Sequence, residues 1–291
     1  MADTPKRSLL SDGDARKFIR SIDNLPTLPS VVARVSEIID SPNASAADIN
    51  KVIRQDIALS ARILKLVNSS FYGFPRRISS ITHAVVILGF NTVRNVALSA
   101  FVLDAFGGKD LPFGHREFWI HSLGVGVAAN ALAKSRGIDE AEDGFIAGLL
   151  HDVGKIVLHQ FARDEFADCL AKVKDKDCLL VEAEQEVLGL THAEVGSMLL
   201  DAWHLPTRIV EAVSYHHAPE NAAQAKDLSA VVHMADIFTR ALLVGNGGDS
   251  GIPMASHQAW STLKLELGQV SGLFTEIARD IRKVDAFAEL L

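Results

Sequence analysis

The stretch His151-Asp152-Val153-Gly154-Lys155 decides how this sequence is interpreted. A His-Asp pair alone occurs often by chance, so its meaning depends on the residues elsewhere in the chain. Imidazole nitrogens and carboxylate oxygens are the ligands that iron, manganese and zinc ions prefer in proteins. Neighbouring residues on a helix diverge by about 100°, so two adjacent ions can share the pair. The stretch is therefore the candidate centre of a metal site.

Other residues of metal-ligand type follow along the chain. Glu117 and His121 stand four residues apart on a predicted helix, so their side chains face one way. His233, one helical turn before Asp236, is a candidate support for the ligands. The predicted metal ligands are Glu117, His121, His151, Asp152, His192, His216, His217 and Asp236. A lone buried histidine is more often a hydrogen-bonded core residue, but chance rarely produces the whole series.

Composition favours a cytoplasmic protein built from helices. The 291 residues are 48% hydrophobic and only 7% aromatic, a balance that suits close-packed helices better than a β-sandwich. The net charge of −7 argues against a general nucleic-acid binder. Two cysteines, Cys169 and Cys178, predict a reduced environment. The N-terminus lacks an apolar signal core and the apolar run 123–133 is too short to span a bilayer, so no membrane association is expected.

The spacing of apolar residues predicts the fold class. Helical periodicity recurs through most of the chain and strand-like alternation does not persist, which indicates an all-α, two-lobed helical bundle. Gly107-Gly108 and Pro112 mark the join between the lobes, and Gly245 to Gly251 reads as a flexible linker. The predicted regions are a flexible N-terminus (1–13), an N-terminal helical lobe (14–110), a metal-binding helical lobe (111–245), and a linker with C-terminal helices (246–291).

The order of these ligand-type residues resembles the HD superfamily of metal-dependent phosphohydrolases. The resemblance implies that Asp152 bridges metal ions and that Lys155 faces a substrate phosphate. The ligand set is also similar to that of the HD-GYP branch, whose members hold two or three ions, and there the position of Glu117 supplies a carboxylate for the third. That branch carries an Asp-Gly-x-Gly-Tyr-Pro loop after the double histidine. Here residues 218–222 are Ala-Pro-Glu-Asn-Ala, so hydrolysis of cyclic di-GMP is not expected.

A denser resemblance covers roughly residues 20 to 240. Its elements are Leu25-Pro26-x-Leu28-Pro29, Asp56-x-Ala58-Leu59, Asn68-Ser69, Phe71-Tyr72-Gly73, Gly148-Leu149-Leu150-His151-Asp152, His192-Ala193-Glu194-Val195-Gly196 and Trp203-x-Leu205-Pro206. On this string the chain is identified as a member of the HDOD family, the HD-related output domains of bacterial signalling proteins. The resemblance implies a second lobe of HD type and a regulatory role. Many members have lost parts of the HD ligand set, whereas this chain keeps the whole series.

The first functional hypothesis is a regulatory output domain that acts through a signalling protein partner or a nucleotide-like small ligand. The segment from Lys51 to Arg94 carries seven lysines and arginines against Asp56 alone, a local charge of +6. Such a surface suits an acidic partner, a nucleotide or nucleic acid, although a solvated helical face is the more common explanation of such a charge run. A domain in which metal is purely structural is a further alternative.

The second hypothesis is a metal-dependent phosphohydrolase that acts on a nucleotide or another phosphoester. Asp152 and Lys155 would then be its catalytic residues. In either case the expected cofactor is a divalent transition metal, two or three ions, with iron favoured over manganese, nickel or zinc. Whether the chain after Asp249 covers the site is left open by the sequence. A capped site would favour regulation, and an open pocket would favour catalysis.

Overall fold

A computed structural model describes residues 22, 27–39, 41–69, 74–106, 111–138, 141–282 and 284. Every regular element within these ranges is helical, which confirms the all-α prediction. Four sequence features quoted above fall wholly or partly outside the described residues. They are the N-terminal segment 1–13, the Leu25-Pro26 motif, the Phe71-Tyr72-Gly73 motif and the Gly107-Gly108 pair.

The N-terminal part of the described chain forms a bundle of short helices. They are α1 (Ser30–Ile39), α2 (Ala46–Ile53), α3 (Ile57–Val67), α4 (Ile81–Leu88) and α5 (Phe90–Ala105). Ser45, Asp56 and Ser80 each accept a hydrogen bond from a backbone amide three residues further on, as N-cap residues do. These side chains fix where α2, α3 and α4 begin.

The remaining helices build the second part of the molecule. They are α6 (His115–Ser135), α7 (Ala141–Leu150), α8 (Val153–Phe161), α9 (Arg163–Lys176), α10 (Leu180–Val187), α11 (His192–Ala202), α12 (Thr207–Ser214), a 3₁₀ turn (Pro219–Asn221), α13 (Lys226–Ala241), α14 (His257–Thr262) and α15 (Leu267–Ile281). His151 and Asp152 lie in the turn between α7 and α8. The sequence prediction of one helix through this pair is wrong, because the Asp152 backbone leaves the helical region at φ −99° and ψ 3°.

Glycines let the helices around this turn approach to backbone contact. A Cβ added at Gly148 on α7 would lie 2.8 Å from the Cα of Gly126 on α6. One added at Gly154 on α8 would overlap the carbonyl of His192 at the start of α11. The glycine of the His-Asp stretch is therefore structural, since any side chain there would push His192 away from His151 and Asp152.

One hydrophobic core runs through both parts of the described chain. Trp203 of the second part packs against Phe101 of α5 with ring centroids 5.4 Å apart. The buried Asn95 of α5 donates to the Glu142 carbonyl at 2.9 Å. None of the described helices combines the length and apolar character needed to cross a bilayer.

Candidate metal centre

Seven of the eight predicted ligands converge in the interior of the second part. Six of them are buried, with at most 2% of each side chain exposed, and His217 is partly buried. They come from the middle of α6 (His121), the α7–α8 turn (His151, Asp152), the first residue of α11 (His192), the turn after α12 (His216, His217) and the middle of α13 (Asp236).

The first ligand group consists of His121, His151, Asp152 and Asp236. Asp152 Oδ2 lies 3.3 Å from His151 Nε2 and 3.8 Å from His121 Nε2. Asp236 Oδ1 lies 3.1 Å from His121 Nε2 and 3.9 Å from His151 Nε2. Two imidazoles and two carboxylates thus surround one small volume, and such mixed nitrogen and oxygen sets suit divalent transition metals.

The second ligand group consists of His192, His216 and His217, whose ligand atoms lie within 4.8 Å of one another. His192 Nε2 is 3.0 Å from His217 Nε2 and 3.1 Å from Asp152 Oδ1. Asp152 therefore turns one carboxylate oxygen toward each group. This is the arrangement that the resemblance implies for a bridging carboxylate.

Backbone carbonyls set the orientation of three imidazoles. His151 Nδ1 lies 2.7 Å from the Gly148 carbonyl, and His216 Nδ1 lies 2.7 Å from the Val213 carbonyl. A carbonyl only accepts, so each Nδ1 carries the proton and each Nε2 keeps a free lone pair. His121 has the same arrangement with the Val244 carbonyl at 3.4 Å.

The inward-facing nitrogens show most directly that these residues suit a metal ion. The Nε2 atoms of His121, His151 and His216 are buried without a hydrogen-bond partner, as is Asp152 Oδ1. Buried polar atoms in proteins nearly always have partners. Burial and the neighbouring imidazoles also hold the pKa of His216 well below its ordinary value, so this ring is neutral at pH 7. The residues therefore fit divalent transition-metal ions.

Glu184 is a functional residue that the sequence predictions missed. Its side chain is completely buried on α10, and Oε2 accepts from the His192 backbone amide at 2.8 Å and from Nδ1 at 2.6 Å. Burial alone would lower the pKa of His192, but the Glu184 carboxylate outweighs it and raises the pKa. The available signal was a glutamate on the same apolar face of α10 as Leu180 and Ala183.

Both carboxylates of the first group are paired with a buried cation. Lys155 Nζ donates to Asp152 Oδ2 at 2.6 Å. Arg240 Nε donates to the two oxygens of Asp236 at 2.9 and 3.1 Å. Burial would raise the pKa of Asp236, but Arg240 and His121 hold it well below its ordinary value. The Lys155 ammonium, expected to face a phosphate, is directed at a protein carboxylate instead.

A glycine-rich segment lies over the first ligand group, and we call residues 244–251 the strap. Gly247 is buried, and a Cβ added there would lie 3.2 Å from Asp152 Oδ2 and 3.3 Å from His121 Nε2. The Gly247 carbonyl accepts from Lys155 Nζ at 2.7 Å. The segment predicted to be a flexible linker is thus held against the ligands by hydrogen bonds.

Glu117 is the one predicted ligand whose side chain does not join the cluster. Its carboxylate is 51% exposed and lies 3.6 Å from Arg116. Its backbone carbonyl accepts from the Asn246 amide at 3.0 Å and so holds the strap. His233 does contact the centre, since its Nδ1 donates to the His216 carbonyl at 2.8 Å and its Nε2 accepts from the Ser256 amide at 2.9 Å.

Comparison with known proteins identifies relatives of this arrangement. The family model of the HDOD domain matches residues 25–219. The crystal structure of an HDOD domain protein of unknown function from Geobacter sulfurreducens is 31% identical, with a TM-score of 0.80 over 95% of this chain and 97% of that chain. An uncharacterised protein of Treponema pallidum is 29% identical over 233 residues, which are 76% of this chain and 43% of that protein. The chain therefore spans less than half the length of this curated relative.

Two further structures share the fold at lower identity. A protein of Marinobacter aquaeolei, named as a candidate signal transduction protein, is 24% identical with a TM-score of 0.78, over 96% of this chain and 66% of that chain. A protein of Shewanella amazonensis, named as a candidate phosphohydrolase, is 23% identical with a TM-score of 0.73, over 92% of this chain and 97% of that chain. At this identity the likeness concerns the fold alone.

Proposed function

We propose that this chain, which belongs to the HDOD domain family, is a regulatory module of bacterial signalling that binds transition-metal ions and acts through a protein or small-ligand partner. One observation carries the proposal. The strap places the Gly247 backbone against Asp152 and His121 and engages the Lys155 ammonium. The face of the first ligand group that a substrate would approach is therefore occupied by the chain itself.

The two ligand groups would hold two divalent ions. His121, His151, Asp152 and Asp236 would hold one, and Asp152 with His192, His216 and His217 would hold the other. When bound, such ions act as Lewis acids toward phosphate oxygens. We propose iron as the resident metal. Manganese, nickel and zinc are alternatives, because mixed imidazole and carboxylate sets accept all four metals.

A metal-dependent phosphohydrolase acting on a nucleotide or another phosphoester is the second candidate function. One observation favours it: a cavity of about 730 Å³ lies outside the strap, and His121 and Arg240 form part of its wall. Hydrolysis would require the strap to move, because Gly247 lines this cavity and packs against Asp152.

We propose the first part of the chain as the contact surface for an acidic partner in the cytoplasm. Among the described residues, two of the seven cations between Lys51 and Arg94 pair with acidic residues: Arg62 with Asp104 at 2.6 Å and Arg94 with Asp143 at 3.5 Å. The exposed cations are Lys51, Arg54, Lys65, Arg76 and Arg77. Charge reversal at Arg76 and Arg77 should abolish partner capture, and unchanged capture would rule out this surface.

Metal analysis combined with an activity screen tests the proposed function. The purified protein should contain a transition metal, and Asp152→Ala should lose it because both ligand groups share this carboxylate. Across a broad phosphoester panel the metal-loaded protein should show no turnover above that of the variant. Turnover that depends on Asp152 would favour the phosphohydrolase, and a metal-free protein that takes up no metal would overturn the proposal.

A further inference from the structure

We infer that the strap is a latch that admits one metal ion while closed and must release Lys155 before a second ion can bind. The inference rests on the proposed metal-binding function and specifies how that site is regulated. It also identifies the state of the protein in which Lys155 becomes available to an anionic ligand.

Two cations fasten the strap, and each also holds a carboxylate of the first ligand group. Lys155 Nζ joins Asp152 Oδ2, at 2.6 Å, to the Gly247 carbonyl, at 2.7 Å. Arg240 joins Asp236 to Asp249 Oδ1, at 2.7 Å, through Nη1. A metal ion that draws electron density from these carboxylates weakens the same hydrogen bonds that keep the strap in place.

The strap is anchored more firmly at its ends than at its centre. At one end, the Asn246 amide bonds to the Glu117 carbonyl, and Gly245 packs so closely on α6 that an added Cβ would overlap the His121 amide. At the other end, Asp249 Oδ2 accepts from the Leu180 amide at the start of α10, at 3.1 Å. Between these anchors Gly247 depends on Lys155, so it is the part that can lift.

The balance of buried charge limits how many ions fit under a closed strap. Among the described residues of the cluster and strap, four carboxylates are at most 3% exposed and face two cations that are at most 8% exposed. The carboxylates are those of Asp152, Glu184, Asp236 and Asp249, and the cations are Lys155 and Arg240. Two net negative charges remain when the imidazoles are neutral, as metal binding requires. One divalent ion neutralises them.

A second divalent ion would leave two uncompensated positive charges in a buried volume, which is strongly unfavourable. The nearest relief is to move the Lys155 ammonium out toward the cavity, and that breaks its bond to Gly247. The first ion is expected at the His192 group, whose three members are imidazoles and attract no lysine or arginine. The second is expected at the His121 group, beneath the strap.

Manganese titration with hydrogen exchange tests the latch. Metal-free protein is titrated with Mn²⁺ alone, and backbone amides of residues 245–251 are followed by mass spectrometry. The first equivalent should leave their exchange unchanged, and the second should accelerate it at least tenfold. Lys155→Met should accelerate strap exchange without metal and should bind the second ion at least tenfold more tightly. Lys174→Met is the matched control, because Lys174 lines the cavity and is exposed.

Asp249→Asn provides a variant outside the metal ligands, in case Lys155→Met does not fold. It weakens the Arg240 fastening and should likewise accelerate strap exchange without metal. Because it also removes one of the four buried negative charges, it should weaken binding of the second ion, opposite to Lys155→Met. Two bound ions with unchanged strap exchange would overturn the latch and leave the metal-binding function standing. Weaker second-ion binding in Lys155→Met would also overturn it, because Lys155 would then assist the metal. A protein that binds no Mn²⁺, iron or zinc would overturn the proposed function and the latch together.

Discussion

The two ligand groups lie side by side and share Asp152, yet the protein treats them differently. The His121 group contains two carboxylates, and the chain supplies a cation to each and a backbone segment over both. The His192 group contains three imidazoles, of which His192 is oriented by Glu184 and His216 by the Val213 carbonyl. A buried carboxylate needs a positive partner whether or not a metal is present, whereas a buried imidazole can remain neutral until a metal binds. A single cluster can therefore combine a covered metal position, the His121 group, with a position that needs no rearrangement to bind metal, the His192 group.

Removal of the carboxylate that both groups share should have the largest effect on the stability of the protein. Asp152→Ala leaves Lys155 as a buried cation without its carboxylate and should lower the free energy of unfolding of the metal-free protein by about 3–5 kcal/mol. The double variant Asp152→Ala with Lys155→Met should recover much of the loss, as measured by urea denaturation. If the double variant were as unstable as the single one, the ion pair would not be what Asp152 contributes.

A side chain at Gly245 should prevent the strap from docking and lower the stability of the protein. Gly245 has φ +65° and would overlap the α6 backbone, whereas Gly137 has φ +64° and nothing within 4 Å of an added Cβ. Gly137→Ala is thus a matched control for backbone strain. Gly245→Ala should cost about 1–3 kcal/mol more than the control, because the strap cannot dock. Equal losses in thermal or urea unfolding would mean that the strap adds no stability.

Substitutions at Glu184 test the His192 group separately. Glu184→Ala removes the acceptor that orients His192, and losses of this kind reduce metal affinity by roughly 10–100-fold. Glu184→Gln keeps an oxygen for Nδ1 and the backbone amide, so it should lose less affinity. The Mn²⁺ affinities of the two variants are compared by isothermal titration calorimetry. If the two variants lost equal affinity, the charge of Glu184 rather than its geometry would dominate.

The smallest effect is expected at Glu117. Its carboxylate is half exposed and outside the cluster, so Glu117→Gln should leave metal stoichiometry unchanged and shift stability by less than about 0.5 kcal/mol. The measurement is metal content after equilibrium dialysis, with His121→Ala as the positive control for loss. A decrease in bound metal in Glu117→Gln would show that this carboxylate moves inward when metal binds.

The helical fold and most of the ligand set could be predicted from sequence, because both leave a mark in residue type and spacing. Helical periodicity follows from which side chains are buried. The His-Asp pair and its five partners are all residues of metal-ligand type, so they indicate a metal site. The spacing of Glu117 and His121 suggested a shared face. Four residues still rotate a helix by about 40° beyond a full turn. Glu117 is also in the first turn of α6, where the carboxylate reaches solvent beside Arg116.

The strap over the site could not be predicted from sequence, because it is held in place largely through backbone atoms. Lys155 is three residues from Asp152, so their pairing was within reach of helix geometry. The other partner of Lys155 is the carbonyl of Gly247, and a carbonyl is present at every position of every sequence. The same reasoning applies to the Glu117 and Val244 carbonyls. A run of glycines indicates that the backbone is free to bend but not which groups it will meet.

The position of Asp236 as the last ligand of the cluster along the chain has a consequence for the newly made chain. At synthesis rates of about 5–20 residues per second, Asp236 leaves the ribosome on the order of ten seconds after His121. Arg240 and the strap follow it. By the end of that interval Asp152 and the five histidines of the cluster have emerged, without the last carboxylate or the covering segment. A nascent chain thus exposes several metal ligands before it can enclose them, and the metals available at the site of translation can be captured first.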